Sequence, residues 1–162
     1  MQQGRAAAAR ACGLAFGVVV DHAASAAVDG IPEVAGLGAL EEQVRTAGIP
    51  YLVGRCDLAA TPRGPSPDMA GCLMLIFRAD DRKLLGVHCF GDIASEVVAL
   101  GHAVLQLGGR VELFLTLALN TPTYSYAYHD ATVDGLTRLT GTMGLAADAP
   151  TSPAHTASAA PI

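Results

Sequence analysis

The chain has 162 residues, of which 51% are hydrophobic and 15% are charged. This length is sufficient for one compact domain, because a folded chain of this size buries roughly 70% of the surface that the unfolded chain exposes. The net charge of -5 and a pI near 5.4 argue against a nucleic-acid partner, which requires a clustered basic surface to displace counterions from phosphates. The strongly apolar runs are shorter than the ~20 residues of a membrane-spanning helix, so no membrane partner is predicted.

The cysteine pattern contains no recognisable metal or disulfide framework. The four cysteines are Cys12, Cys56, Cys72 and Cys89. They are far apart, no C-x-x-C pair occurs, and the sequence has no signal peptide, so neither a zinc site nor a secreted disulfide scaffold is indicated. We therefore expect the protein in the reducing cytoplasm.

The first part of the chain predicts short helices and strands separated by glycine and proline. The predicted elements are a helix over 2–12 ended by Gly13, an extended entry over 30–34, a helix over 39–47 ended by Gly48, and a strand over 51–58. A proline- and glycine-rich loop follows the last of these.

The stretch from 71 to 107 predicts a β-hairpin followed by a helix. Its two strands, 73–77 and 84–90, are nearly continuous in apolar residues, which is typical of strands covered on both faces. A turn centred on Asp80-Asp81 predicts a register that pairs Phe77 with Leu84, Met74 with Val87, and Cys72 with Cys89. Whether the two cysteines face each other is left open, since a slip of one residue would separate them.

Asp92 suits the N-cap of the next helix, and Glu96 in its first turn favours the helix dipole. The helix carries apolar residues around most of its circumference, so it is predicted to be buried on two sides. The residues over 111–119 fit a strand or a helical turn equally well. Thr123 is the predicted N-cap of a final helix over 124–140 that ends at Gly141.

No constellation of residues indicates chemistry by itself. His88 and Cys89 are adjacent on a strand and point to opposite faces, so packing is favoured over a metal site, and no metal ligand set is predicted. Asp21 and His22 form a loop pair of no specificity. His129, Asp130 and Asp134 share the last helix and are interpreted as a solvated face. Gly-rich dinucleotide motifs, P-loops and nucleophile elbows are absent. The residues alone predict an α+β domain with apolar surface to spare.

Several motifs in order nevertheless resemble one family. They are IPEV from Ile31, GIPYLVGR from Gly48, LLGVHCFG from Leu84 leading into ASEVV, and the terminal NTPT followed by AYHDATVDGLTRL. Together they resemble the C-terminal dimerisation domain of pyridine nucleotide-disulfide oxidoreductases, in particular the soluble, Si-specific pyridine nucleotide transhydrogenases. The opening QGRAAAARACG is similar to the helix that ends the FAD-binding part of those enzymes.

The resemblance implies an antiparallel sheet flanked by helices, through which two flavoprotein subunits form a C2 homodimer. It divides the chain into a remnant helix of the FAD-binding domain (1–13), a connection (14–30), the dimerisation domain (31–140) and a disordered tail (141–162). In the complete enzymes, FAD passes a hydride between NADPH and NAD. The chain lacks the Gly-rich phosphate loop and the redox cysteine pair, so it is expected to be truncated, to bind no FAD alone and to be inactive alone.

The resemblance also places candidate site residues in the segment before the last helix. In the family this segment reaches the flavin of the partner subunit, which implies possible flavin contacts by Asn120, Thr121, Pro122 and Thr123. Thr121 occupies the position of the family's catalytic His or of its Tyr, and Tyr126 that of the Glu. A threonine hydroxyl cannot act as a base near neutral pH, so no catalytic residue is predicted.

Three hypotheses follow from the resemblance. The chain is a dimerisation module that forms a homodimer; or it is one subunit of a split transhydrogenase, pairs with a separately encoded FAD- and NAD(P)-binding portion and supplies the flavin-facing wall; or it is a non-functional gene fragment.

Overall fold

The computed structural model describes residues 2–13, 26–63 and 70–142. The elements in chain order are α1 (Gln2–Ala11), β1 (Ala26–Val28), β2 (Glu33–Gly38), α2 (Glu41–Thr46), β3 (Tyr51–Asp57), β4 (Gly71–Arg78), β5 (Leu84–Gly91), α3 (Ala94–Gln106), α4 (Leu113–Thr116) and α5 (Ala127–Thr142). Single 3₁₀ turns lie at Leu58–Ala60 and Tyr124–Tyr126. The predicted α+β class, an antiparallel sheet flanked by helices, is confirmed.

The sheet has five antiparallel strands in the order β1-β2-β5-β4-β3. On one face, alternate residues of the central strands form the hydrophobic core, because successive side chains of a strand point to opposite faces. These core side chains include Leu73, Leu75, Phe77, Val87 and Cys89, all at most 2% exposed. Helix α3 packs over β2 and β5, and α5 packs over β3 and β4, so the two long helices share this face.

The second face of the sheet is only partly covered. Helix α2 lies against it near β3, where the Tyr51 hydroxyl donates to Glu41 Oε1 at 3.0 Å. Further along the same face, Val28, Val34 and Phe90 are 66%, 51% and 43% exposed. The apolar pattern of the hairpin predicted that both faces of the sheet are covered. Within the described residues, the second face instead has an exposed apolar patch formed by these three side chains.

The hairpin register agrees with the prediction only next to the turn. Phe77 does pair with Leu84, but Ile76 pairs with Gly86, so Leu85 is an extra residue on β5. This β-bulge shifts every later pair by one position. As a result Met74 pairs with His88 and not with Val87. The predicted pairing of Cys72 with Cys89 is wrong, because Cys72 lies opposite Phe90 and Cys89 lies opposite Leu73.

Local sequence signals predict the ends of two helices correctly and the start of a third wrongly. Helices α1 and α2 are followed by Gly13 and Gly48, whose φ angles of 65° and 66° are those of a left-handed terminating residue. The prediction of Asp92 as the cap of α3 is wrong. Ile93 occupies the N-cap position without a side-chain bond, and the amide of Ser95 donates to Glu33 Oε2 at 3.0 Å. The cap is therefore supplied by β2 and not by the preceding residue.

The ambiguous stretch after α3 forms a helical turn. Helix α4 spans Leu113–Thr116, and Phe114 is completely buried. Thr123 caps the final helix as predicted: its Oγ1 accepts from the amide of Ser125 at 3.3 Å, and the 3₁₀ turn continues into α5. The predicted disordered tail lies, apart from residues 141 and 142 of α5, outside the described residues.

Candidate functional site

The four candidate residues lie together in the connection between α4 and α5. Asn120, Thr121 and Pro122 are exposed, Thr123 is half-buried, and the Thr121–Pro122 peptide bond is cis. The Thr123 hydroxyl is occupied by the helix cap, whereas the side chain of Thr121 faces solvent. The segment therefore presents hydroxyl and amide groups at the surface, with a fixed backbone on its α5 side.

Tyr126, at the end of the 3₁₀ turn, contacts a residue in the first turn of α5. Its ring centroid lies 5.0 Å from that of His129, at an interplanar angle of 33°. The Nδ1 atom of His129 lies 2.9 Å from Oδ1 of Asp130, and both side chains are half-buried. A phenol packed on an imidazole differs from the carboxylate that the resemblance implies at this position. That Thr121 and Tyr126 carry no catalytic role stays a prediction.

The Asp134 carboxylate bonds both to β3 and to Arg138. Its Oδ2 atom accepts from the backbone amide of Arg55 at 2.8 Å, and the Arg138 guanidinium lies 3.1 Å from its carboxylate oxygens. The interpretation of His129, Asp130 and Asp134 as a solvated face misses the bond from Asp134 to β3, and all three side chains are half-buried.

A shallow cleft adjoins the candidate segment. Its volume is about 310 Å³, and it is lined by Arg63, Ile93, Glu96, Val97, Thr123, Tyr124 and Ser125. The Arg63 guanidinium lies over the Tyr124 ring, 5.5 Å from its centroid, in the arrangement of a cation–π contact. The cleft places the guanidinium of Arg63 and the carboxylate of Glu96 beside the segment. Because these two charges are opposite, the cleft does not favour an anionic ligand.

His88 and Cys89 point to opposite faces, as the strand pattern predicts. His88 Nε2 lies 3.0 Å from the carbonyl oxygen of Ala39 on the second face, and Cys89 is buried in the core. Across the described residues, no group of three His, Cys, Asp or Glu side chains is placed to hold a metal ion. Asp21 and His22 lie outside the described residues.

The cysteines are all free thiols, and burial raises the pKa of the three that belong to the sheet. Burial raises the pKa of Cys56 and of Cys89 to about 12, and for Cys56 the carboxylate of Asp130 adds to the effect. Burial also raises the pKa of Cys72. Thiols held in the protonated form are poor nucleophiles, so these residues act as packing groups.

Apolar side chains are also exposed on the helices. On the outer side of α3, Ala99 and Ala103 are exposed, and Leu107 directly after it is 85% exposed. Leu113, Leu115 and Leu117 around α4 and Val133 on α5 are 37–41% exposed. None of the described helices is long and apolar enough to cross a membrane.

The comparison with protein families matches residues 25–132 to the pyridine nucleotide-disulphide oxidoreductase dimerisation domain. The chain belongs to this family. The soluble pyridine nucleotide transhydrogenase of Mycobacterium bovis (strain BCG / Pasteur 1173P2) is 39% identical over 143 residues, which cover 86% of this chain and 30% of that protein. That of Marinomonas sp. (strain MWYL1) is 35% identical over 141 residues, covering 85% and 30%. The resemblance to transhydrogenases is thereby confirmed.

Solved structures support the same fold. LpdA from Mycobacterium tuberculosis superposes with a TM-score of 0.71 at 20% identity, covering 81% of this chain and 29% of that one. The HOCl-induced flavoprotein disulfide reductase RclA from Escherichia coli gives 0.65 at 22% identity, covering 70% and 26%. The chain spans about 30% of the length of the curated relatives above.

The described residues of the candidate segment are compatible with a one-sided contact with a flavin. Thr121 and Pro122 are exposed and the amide-bearing Asn120 is beside them, which is compatible with contact against the edge of a planar ring. A dinucleotide also needs a cradle of backbone amides for its pyrophosphate, and the sequence contains no Gly-rich loop of that kind.

Sequence reasoning missed two residues that organise this region. Glu33 caps α3 from β2, and Tyr128 lies completely buried with its hydroxyl bonded to α3. Both contacts join residues distant in the chain, and the sequence offered only a weak signal for the second: a Gly at position 101 inside a largely apolar helix.

Proposed function

We propose that this chain is the dimerisation domain of a flavin-dependent pyridine nucleotide oxidoreductase of the transhydrogenase type, and that it forms a homodimer. The observation that carries this proposal is the family match over residues 25–132, on a fold whose helices expose apolar side chains. By itself the chain transfers no hydride. In the complete enzyme, FAD bound by other domains passes a hydride between NADPH and NAD.

The exposed apolar side chains support an interface role. Leu107 at the end of α3 is 85% exposed, in line with Ala99 and Ala103 on the outer side of that helix. Removing such side chains from water stabilises an association by roughly 25 cal/mol per Å² of apolar area. We infer that the outer side of α3, together with α5, contributes to the contact between two copies.

The proposal also assigns a flavin contact to the candidate segment. Asn120, Thr121, Pro122 and Thr123 lie at the surface at the start of α5, where they contact the flavin of the partner subunit in the proposed dimer. With free thiols throughout, the reducing cytoplasm is the proposed compartment.

A second candidate function is that of one subunit in a split transhydrogenase. The chain spans 30% of its relatives' length, and α1 resembles the helix that ends their FAD-binding part. In this alternative a separately encoded FAD- and NAD(P)-binding portion binds the domain, which supplies the flavin-facing wall. The remaining alternative, a fragment without function, predicts neither self-association nor binding to such a portion.

Light scattering coupled to size-exclusion chromatography tests the homodimer. We expect a dimer at micromolar concentration and no flavin absorbance, with or without added FAD. Leu107→Glu places a charge on the outer side of α3 and should weaken the dimer, whereas Val34→Glu places the same charge on the second sheet face and should leave it intact. Both variants are checked for folding by circular dichroism.

A monodisperse wild-type monomer would contradict the homodimer. Mixing with the FAD- and NAD(P)-binding portion of a related transhydrogenase then tests the split-subunit alternative, which expects a yellow complex that elutes as one species. Loss of the dimer in V34E but not in L107E would assign the contact to the second face.

A further inference from the structure

The hydroxyl group of Tyr128 lies within the hydrogen-bond ladder of α3. It donates to the carbonyl oxygen of Val97 at 2.9 Å and accepts from the amide of Gly101 at 3.0 Å. These two backbone groups are four residues apart and pair with each other in a regular α-helix. A side chain that enters the ladder in this way is one of the recognised causes of a helix bend. The Tyr128 hydroxyl thus takes part in the hydrogen bonding of α3, although the residue itself belongs to α5.

The space for this contact depends on the absence of a side chain at Gly101. A Cβ atom there would lie 2.7 Å from the Tyr128 hydroxyl oxygen and 2.8 Å from a methyl carbon of Val87. The Tyr128 ring also packs on Phe114, with 4.6 Å between ring centroids. Burial raises the pKa of Tyr128, which keeps the hydroxyl protonated and able to donate. The ring is therefore packed on Phe114 and fixed at its tip by α3.

The anchored residue lies at the start of α5, close to the candidate segment. Tyr128 follows the 3₁₀ turn Tyr124–Tyr126 by two residues, and that turn begins at the capping residue Thr123. Beyond Thr123 the chain continues into the exposed residues Thr121 and Pro122. A shift of the Tyr128 ring would displace this turn, because only a few residues of fixed backbone separate them.

We propose that Tyr128 is a positioning residue: its hydroxyl group, inserted between Val97 and Gly101, fixes the start of α5 on α3 and thereby sets the position of residues 120–123. This deepens the proposed function, on which it rests for what the segment contacts. In the proposed dimer, the same contact couples the outer side of α3 to the segment that faces the partner's flavin.

Amide hydrogen exchange of the full chain, followed residue by residue by NMR, tests the proposal. In Tyr128→Phe we expect the amides of Ser125 and Tyr126 to lose protection by about tenfold, although neither bonds to Tyr128. Tyr51→Phe is the matched control, because it removes a hydroxyl that bonds to Glu41. Val44→Ala, a cavity in α2, corrects for a general loss of stability.

The three variants give distinct outcomes. Faster exchange at Ser125 and Tyr126 in Y128F, beyond that in V44A at equal stability, supports the positioning role. Equal protection in Y128F, Y51F and V44A overturns it. Should Y128F unfold, Gly101→Ala tests the same contact from α3, with the same expected loss. A monomeric wild type would contradict the homodimer and leave this comparison valid, so the two proposals fail separately.

Discussion

The carboxylate of Asp134 accepts a hydrogen bond from the backbone amide of Arg55 at 2.8 Å, across 79 positions of the sequence. In the described sheet, β3 pairs only with β4 and is an edge strand. An unpaired amide on such an edge is available to other chains or must be satisfied by the protein itself. Asp134 satisfies one of these groups, so α5 both covers the core and protects part of this edge of the sheet.

Removing the Asp134 carboxylate should therefore lower stability more than a surface charge normally does. We expect Asp134→Ala to reduce the free energy of unfolding by about 1–2 kcal/mol, because a charged acceptor for a backbone amide is lost. Asp134→Asn keeps an acceptor oxygen and should retain most of the stability. Urea denaturation of both variants measures the difference, and equal losses would show that charge and not the hydrogen bond is responsible.

The cap of α3 provides a second comparison. Glu33→Ala removes the acceptor of the Ser95 amide and should cost about 1 kcal/mol in thermal or urea unfolding. Asp92→Ala, at the position that sequence reasoning favours as the cap, should stay within about 0.5 kcal/mol of the wild type. A larger loss in D92A than in E33A would reverse the assignment of the cap.

Glu33 and Asp92 also show what the sequence can and cannot predict. Helix ends at Gly13 and Gly48 and the cap at Thr123 were predictable, because each depends on residues within one turn. The cap from Glu33 was not, since its partner lies 62 positions away and becomes a neighbour only in the folded sheet.

The predicted register of the hairpin is wrong for a related reason. Alternating and continuous apolar patterns indicate that strands exist, but they do not show an extra residue such as Leu85. One bulge was enough to replace the predicted neighbour of Cys72 by Phe90. In the candidate segment, the motif around Pro122 placed the residues correctly at the start of α5, whereas the anchor at Tyr128 required knowledge of how α5 packs on α3.

The approach of α5 to β3 leads to a third prediction, at Gly54. A Cβ atom at this position would lie 3.1 Å from the amide nitrogen of Gly135 and closer still to the backbone of Ala131. Because backbone atoms cannot move aside as a flexible side chain can, Gly54→Ala should destabilise the fold by at least about 2 kcal/mol. Chemical denaturation measures the loss.

Gly4→Ala is the matched control for this substitution. Gly4 lies within α1 with no atom near its potential Cβ, so the same change should be neutral or stabilise by about 0.5–1 kcal/mol. If G54A were as stable as G4A, the two backbones would not be in contact in solution.

The buried thiols predict a loss of stability at alkaline pH. Burial raises the pKa of Cys56 and Cys89 from 9.0 to about 12, so the folded chain keeps protons that the unfolded chain releases. This contribution is complete below pH 9 and is lost as the pH rises towards 12. The raised pKa of Tyr128 extends the loss above pH 10. Urea midpoints measured under reducing conditions should therefore be constant between pH 7 and pH 8.5 and fall above pH 9.

Two cysteine variants assign this fall to burial. Cys89→Ala removes one buried thiol, so its midpoint, although lower overall, should decline less steeply between pH 9 and pH 11 than that of the wild type. Cys12→Ala removes an exposed thiol and should leave the steepness unchanged. Because both variants lack one thiol, any difference between their slopes reports the environment of the thiol. Equal slopes in C89A and the wild type would contradict a raised pKa at Cys89.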